Sequence, residues 1–323
     1  MAESKKTAAV SKEEALKKQS RINLIRSVLP VIGLIAVFVI FNILTNGGMV
    51  RSRKLILNQV YVVMISATGV FFIMTMGGLD FSQGSIMGIA SIVVCVLSKV
   101  NIGLAVLGGI AAGAAFGAVN GFFYVNRKIK SFIVTICTMF LFRGLIKYLA
   151  SNSPVAASMR VYDFDTMEVK LGITILVLLA GFITFRFTKF GLYLKAIGAG
   201  EKAAKFAGIR TDRMKFMIYV LAGAITGLAA FVNIVKNGSA TANVGNQLET
   251  QILIALVLGG MPISGGAKVR FSNIIVGALL YTVLNNGLTM MGLTTQAMQL
   301  VQGVVFLIFV AVFADRESLS VIK

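Results

Sequence analysis

Ile102-Gly-Leu-Ala-Val-Leu-Gly-Gly-Ile-Ala-Ala-Gly-Ala-Ala-Phe-Gly-Ala-Val-Asn-Gly-Phe-Phe-Tyr124 carries no charged residue. A run of about 20 apolar residues is what a helix needs to cross the hydrocarbon of a bilayer. Gly109, Gly113, Gly117 and Gly121 recur at every fourth position, so they share one helix face. Small residues at that spacing let two helix backbones approach closely, and dispersion then replaces the hydrophobic drive that lipid removes. The stretch reads as a transmembrane helix whose glycine face packs tightly on another helix. Packing is preferred here over a pore-lining role for these glycines.

Similar apolar segments lie on both sides. The expected spans are 28–45, 56–76, 83–99, 102–124, 131–150, 171–188, 214–236, 250–263, 272–292 and 296–314. The eighth is short and reads as a broken or re-entrant segment ending at Pro262, Gly265 and Gly266. Gly84/Gly88 and Gly223/Gly227 repeat the four-residue glycine spacing. Composition agrees with a bilayer as solvent. Hydrophobic residues make up 57% of the chain, charged ones only 13%, and the mean hydropathy is +0.87. A soluble domain carries about a quarter charged residues. The expected fold is therefore all-α: a polytopic membrane protein of about ten helices.

The net charge of +19 does not point to nucleic acid. The basic residues are dispersed between apolar spans and form no single soluble face. Positive residues are enriched in cytoplasmic segments of membrane proteins. The tail 1–27, with Lys5, Lys6, Lys12, Lys17, Lys18, Arg21 and Arg26, is expected to be cytoplasmic, and so is the short tail 316–323. Residues 28–315 form one membrane domain with both termini inside. Arg127, Lys128 and Lys130 and the basic loop 189–213 then fall inside as well. Arg51, Arg53 and Lys54 break the pattern: either they sit on an interfacial helix or the first two spans are displaced.

Several chemistries are excluded. The chain has no His, which removes His-based acid/base, nucleophilic and zinc chemistry. It has no G-x-x-x-x-G-K-[ST] phosphate loop. Cys95 and Cys137 both lie in apolar runs and read as buried free thiols. No enzymatic activity, cofactor or metal is expected of this chain.

Polar residues inside apolar spans are the functional candidates. Asp80 stands between two spans with Ser82, Gln83 and Ser85 beside it and Gly77, Gly78 and Gly84 around it. A carboxylate there is costly unless paired or wetted. It either lines a break in the pathway or caps the following helix. Arg143 lies deep enough to pair with a carboxylate or with backbone carbonyls, whereas Lys147 reads as snorkelling to the interface. Asn120, Asn233, Asn285 and Asn286 could hydrogen-bond a polyhydroxylated solute or glue helices together. In the basic loop, Gly198 and Glu201-Lys-Ala203-Ala204-Lys-Phe206-Ala-Gly208 fit a short helix from about 199 to 207 stopped by Gly208. Its apolar surface would dock in a groove on a soluble partner; the alternative is an ordinary basic loop.

These stretches resemble, in order, the ribose/galactoside-type permease subunits of bacterial ATP-binding-cassette importers. The loop resembles that family's Glu-x-Ala-Ala…Gly coupling segment. Gly78-Leu-Asp80-Phe-Ser82-Gln-Gly84-Ser85, Asn120-Gly121, Phe132-Ile-Val-Thr135 through Thr138-Met139 to Arg143-Gly144, Leu258-Gly259-Gly260 with Ser264-Gly265-Gly266, and Asn286-Gly287-Leu288 match its further motifs across about residues 30–315. Three features depart from the pattern. Gln251 replaces an Asp, Ala267-Lys268-Val269-Arg270 replaces a glycine-rich turn, and a Trp before the last span is absent. The resemblance implies a bacterial cell-membrane permease for a simple sugar or similar small polar solute. It implies ATP hydrolysis on separate subunits docked at Gly198, Glu201, Ala203, Ala204, Phe206 and Gly208. It further implies a soluble solute-binding protein and a second permease copy or paralogue. Nucleosides and branched-chain amino acids are alternative cargoes within the class, and an ion-gradient-driven transporter is the alternative outside it.

Overall fold

In the computed structural model, residues 28–313 are described; both tails, 1–27 and 316–323, lie outside the described residues. The described residues are mainly helical. In order the helices are α1 (Val28–Leu44), α2 (Gly48–Arg51), α3 (Arg53–Thr75), α4 (Gln83–Ser98), α5 (Ile102–Asn126), α6 (Ser131–Leu149), α7 (Met167–Phe187), α8 (Lys189–Ala199), α9 (Glu201–Phe206), α10 (Thr211–Asn237), α11 (Leu248–Leu258), α12 (Ser272–Met290) and α13 (Thr295–Phe313). Two-residue strands β1 (Val155–Ala156) and β2 (Ser239–Ala240) pair antiparallel, with Val155 opposite Ala240.

Local chemistry sets several of these boundaries. The Asn101 side chain caps α5 by accepting from the N–H groups of Gly103 and Leu104 at 2.7 and 3.3 Å. Thr166 and Thr188 cap α7 and α8 in the same way, satisfying donors that a helix start leaves open. Gly238, at φ +69°, ends α10.

Among the described residues six helices, α3, α5, α6, α7, α10 and α12, are long and apolar enough to cross a membrane. Shorter apolar helices, α1, α4, α11 and α13, occupy the positions of the remaining expected spans. With 11 residues, α11 is only about 16 Å long, half the thickness of the hydrocarbon. The expected broken segment is thus a short helix followed by a turn through Gly259 and Gly260. Arg53 and Lys54 are exposed on the first turn of α3, and Arg51 closes the four-residue α2. The span expected from 56 therefore begins three residues earlier, at a charged helix end. Helix α8 was not anticipated as a helix within the 189–213 loop. Cys95 is buried as expected, whereas Cys137 is exposed on the outside of the bundle.

The glycine face of α5 meets α10. A Cβ at Gly109 would press on the Gly227 carbonyl oxygen; one at Gly113 would strike the Gly223 carbonyl, and one at Gly117 the Tyr219 carbonyl. As the number rises on α5 it falls on α10, so the two helices are antiparallel and in backbone contact. The central helix α3 packs across this pair. All its residues from Val63 to Thr75 are buried, and Gly69 lies against Ala222 of α10. A helix apolar on every face belongs at the centre of such a bundle. Ile35 and Ile43 of α1, Phe140 and Leu141 of α6, and Leu300 and Leu307 of α13 are exposed around it.

One element order occurs twice: a long helix, a non-helical stretch, a short helix and two longer helices. It describes α3–α6 and again α10–α13. Because α5 opposes α10, the two sets run in opposite directions. Inverted repeats of this kind place discontinuous helices near the bilayer midplane.

Replacing Gly113 by Leu forces α5 away from α10 and is expected to cost at least about 1–3 kcal/mol, the usual cost of overpacking. Gly144→Ala, where a Cβ meets nothing within 4 Å, should stay within about 0.5 kcal/mol. Thermal unfolding of the two variants in detergent measures both.

Candidate translocation site and coupling segment

The two short helices begin beside each other. Residues 76–82 run from the end of α3 to the start of α4, and residues 238–247 from the end of α10 to the start of α11. At their meeting, a Cβ on Gly84 would strike Glu249 Oε2 and the Gly245 carbonyl, and a Cβ on Gly245 would strike the Gly84 carbonyl. Gly245, at φ +73°, supplies a backbone shape that side-chain-bearing residues rarely adopt.

Two polar networks hold this junction. In the first, Asp80 Oδ1 accepts from the Ser82 backbone N–H at 2.7 Å and from Ser82 Oγ at 2.6 Å, and Asp80 Oδ2 accepts from Gln83 Nε2 at 2.7 Å. Thr226 Oγ1 of α10 donates to Gln83 Oε1 at 2.5 Å. Asn120 Nδ2 of α5 donates to Ser82 Oγ at 2.7 Å, and Thr138 Oγ1 of α6 donates to Asn120 Oδ1 at 2.6 Å. Asp80, Ser82, Gln83 and Asn120 are wholly buried. One carboxylate thus ties α4, α5, α6 and α10 together. The Asp80–Ser82 contact is an Asx turn, and Ser82 makes no side-chain cap of α4, so of the two roles the sequence left open for this site, the simple helix cap is not formed.

In the second network, Arg143 Nη2 donates to Glu249 Oε1 at 2.7 Å and to the Gly245 carbonyl at 3.4 Å. Of the partners anticipated for Arg143, the structure supplies both a carboxylate, on α11, and a backbone carbonyl. Both side chains are largely buried. Glu249 Oε2 has no hydrogen-bond partner among the described residues. Lys147 is exposed.

Two cavities flank the junction. One, of about 250 Å³, is lined by Asn58, Asn233, Lys236, Asn246, Gln251 and Asn285 among others. The other, of about 410 Å³, lies between α11 and α13 and is also lined by Gln251. Of the asparagines singled out from sequence, Asn285 and Asn233 line the first cavity. Asn286 is buried, with Nδ2 donating to Gln59 Oε1 at 2.9 Å and to the Thr282 carbonyl at 2.8 Å. Asp80, Ser82, Gln83 and Asn120 bond to one another within the first network and Arg143 sits in the second, and none of the five lines either cavity. Sequence reasoning missed Asn58, Gln59 and the glutamines of α13. Their signal was present: Gln296, Gln299 and Gln302 recur at every third position inside an apolar span. Among the described residues no group of His, Cys, Asp and Glu could hold a metal ion.

The α8–α9 segment sits at the far end of α10 from β2. Helix α9 begins at Glu201 and ends in a Schellman motif, with Ile209 N–H donating to the Ala204 carbonyl and Gly208 N–H to the Lys205 carbonyl. Gly208, at φ +83°, supplies the left-handed residue that this motif favours. Glu201 pairs with Lys215 of α10 at 2.5 Å, and Lys215 also lies over the Tyr124 ring. Gly198 fits where a Cβ would strike the Thr75 carbonyl and the Gly266 nitrogen, so it touches the end of α3 and the turn after α11 together. Ala204 is buried, Ala203 exposed, and Phe206 is 92% exposed. Lys195 lies over the Phe185 ring at 4.4 Å; burial there, with Arg186 adding like charge, holds its pKa below the ordinary lysine value.

A bundle of apolar helices with a discontinuous, polar-lined centre defines an integral membrane permease. The family described as branched-chain amino acid transport system / permease component matches residues 53–310, and the chain belongs to it. The chain is 33% identical over 300 residues to the ribose import permease protein of Bacillus subtilis (strain 168), covering 90% of this chain and 92% of that one. It is 29% identical to the ribose import permease protein of Escherichia coli (strain K12), covering 88% and 92%. It is also 29% identical to the D-allose transport system permease protein of Escherichia coli (strain K12), covering 80% and 81%. No solved structure matches the chain significantly.

Removing one member of a buried ion pair leaves an uncompensated charge, which costs about 3–5 kcal/mol. Arg143→Met and Glu249→Leu should each destabilise the permease on that scale. The double variant should lose less than the sum of the two. A double-mutant cycle on detergent-solubilised protein measures the coupling.

Proposed function

We propose that this chain is the membrane-spanning subunit of an ATP-binding-cassette importer and carries a simple sugar or a similarly small polar solute inward. The observation that carries the reading is the seat of α8 and α9. Gly198 touches both the end of the central helix α3 and the turn that follows α11, so on this reading a displacement of α8 and α9 reaches the chain just before α4 and just after α11. An exposed Phe206 on a short capped helix is the kind of apolar knob that docks in a partner's groove, burying area worth about 1.5–3 kcal/mol. The partner is an ATPase subunit, because the chain has no phosphate loop of its own. Glu201, Ala203, Ala204 and Gly208 hold the knob in place.

Arg127, Lys128, Lys130 and the basic residues of 189–215 support a cytoplasmic face on the α8–α9 side, and on this reading both termini lie on that side too. A solute-binding protein then delivers the solute to the opposite end, where the 151–166 loop and β2 lie. A second copy or a paralogue completes the pathway. On this reading Asp80, Ser82, Gln83, Asn120 and Arg143 brace the junction, and Asn285 lines the cavity beside it with Asn286 buried next to it. The named sugars of the relatives, ribose and allose, support a sugar. The family description favours a branched-chain amino acid as the second cargo, but the cavity around Asn285 offers amides and no paired charges for an amino acid's two ionised groups.

Phe206→Ser should leave the amount of protein in the membrane unchanged and lower solute uptake about tenfold or more, the factor expected from losing at least 1.4 kcal/mol of docking. Gly208→Val should act in the same direction by unseating the helix end. Normal uptake by both variants at normal protein levels would contradict the docking role.

A further inference from the structure

Two adjoining cavities of opposite chemistry lie where α8, the turn after α11 and the start of α12 meet. The first, of about 450 Å³, is lined by Lys195 of α8, Lys268 and Arg270 of the turn, Pro30 of α1 and Ser272 of α12, among others. Among the described residues no Asp or Glu lines it. Lys268 and Arg270 are exposed and Lys195 is half-buried. Burial, and then the like charge of Arg186, work against the charge on Lys195; an anionic group beside it offsets both. The first turn of α12 carries no acidic residue and no side chain caps its start, so the positive end of its dipole adds to the potential at Ser272. The second cavity, of about 370 Å³, is a groove lined by Ile175, Leu179 and Phe182 of α7 and by Phe271 and Ile275 of α12, among others. Ile175, Leu179, Phe182 and Ile275 are exposed, and both helices are long and apolar enough to cross a membrane. In a bilayer these side chains meet lipid tails. Ser272 lines both cavities and so marks the border between a basic chamber and an apolar groove.

We infer that the paired cavities hold one anionic phospholipid of the leaflet on the α8–α9 side, its phosphate against Lys195 and Arg270 and an acyl chain along the groove between α7 and α12. Basic pockets between membrane helices are where anionic headgroups settle. An arginine fork gives a phosphate two parallel donors, and a lysine adds a point charge. A zwitterionic lipid suits the chamber less, because its ammonium group is opposed by the same cations. A free phosphate would match the chamber but make no use of the groove that continues from it at Ser272. The site also borders the contact of Gly198 with Gly266, beside the segment proposed to receive the ATPase. Calling the leaflet cytoplasmic rests on the proposed orientation; the pairing of chamber and groove does not.

The test uses the full chain, delipidated in a non-ionic detergent. It is titrated with dioleoylphosphatidylglycerol, dioleoylphosphatidylcholine or glycerol 3-phosphate, and bound ligand is counted by native mass spectrometry. The wild type should bind one phosphatidylglycerol at least about tenfold more tightly than phosphatidylcholine, as two or more basic contacts imply. Arg270→Gln and Lys195→Gln should each weaken phosphatidylglycerol about fivefold and leave phosphatidylcholine unchanged. Lys189→Gln and Arg213→Gln remove exposed basic residues that line neither cavity, and should stay within about twofold of the wild type because such charges are screened. Leu179→Trp, which fills the groove, should weaken phosphatidylglycerol without touching the basic chamber. Equal affinity for the two lipids would overturn the site, and so would equal losses in the cavity variants and the two controls. Glycerol 3-phosphate binding as tightly as phosphatidylglycerol, with no effect of Leu179→Trp, would make this a free-anion site and overturn the lipid assignment too. None of these measurements involves transport, so this inference and the importer reading can fail independently.

Discussion

The contact of α5 with α10, backbone against backbone, is the constraint from which the rest of the structure follows. Lipid tails are as apolar as leucine, so burial of apolar surface gives these helices no net drive to associate. Close approach along Gly109, Gly113 and Gly117 supplies the dispersion that replaces it. The approach is reciprocal, since Gly223 and Gly227 of α10 face the same carbonyls that their own Cβ atoms would strike. With this pair locked, α3 has a fixed surface to lie on through Gly69 and Ala222. The two discontinuous helices then have walls on which to be held.

Holding them is a polar task. Segments 76–82 and 238–247 bring non-helical backbone into the bundle, and such backbone is tolerated at membrane depth only where protein or water satisfies it. Asp80 and its partners do this for the first segment and the Arg143–Glu249 pair for the second. Buried networks of this kind favour one arrangement, and removing a single member leaves an expensive orphan. The same property suits a two-state device. Glu249 makes one of its two possible sets of bonds, and the glycines at 84 and 245 leave no side chain in the way of movement. On the proposed reading, force applied at α9 would enter through Gly198, which touches the end of α3 and the turn after α11.

Much of this was legible in the sequence. The glycine spacing in 102–124 identified the packing face, though not its partner; Gly223 and Gly227 showed the same spacing, but nothing in one dimension pairs 113 with 223. The broken eighth segment was visible from its length and from Pro262, Gly265 and Gly266. The placement of Arg143 called for a carboxylate or backbone carbonyls, yet Glu249 lies 106 positions away and only the fold brings it near. Asp80 was visible as an anomaly, while its Asx turn and its reach to four helices were not. Helix α8 went unread because its apolar and basic residues resemble a loop that merely follows a span. The glutamines of α13 were passed over because isolated amides in an apolar run look like helix–helix glue until the exposed face of the helix is known.

The source of energy for transport is the most direct measure of the account. The permease, co-purified with its associated ATPase and binding protein, is reconstituted in liposomes and loaded with ATP on the α9 side. Uptake of labelled D-ribose, D-xylose and D-allose is then followed. The account predicts uptake of at least one of them that stops when ATP is omitted and persists when an ionophore collapses every ion gradient. Uptake that survives without ATP but is abolished by the ionophore would contradict it and would make the chain an ion-coupled transporter.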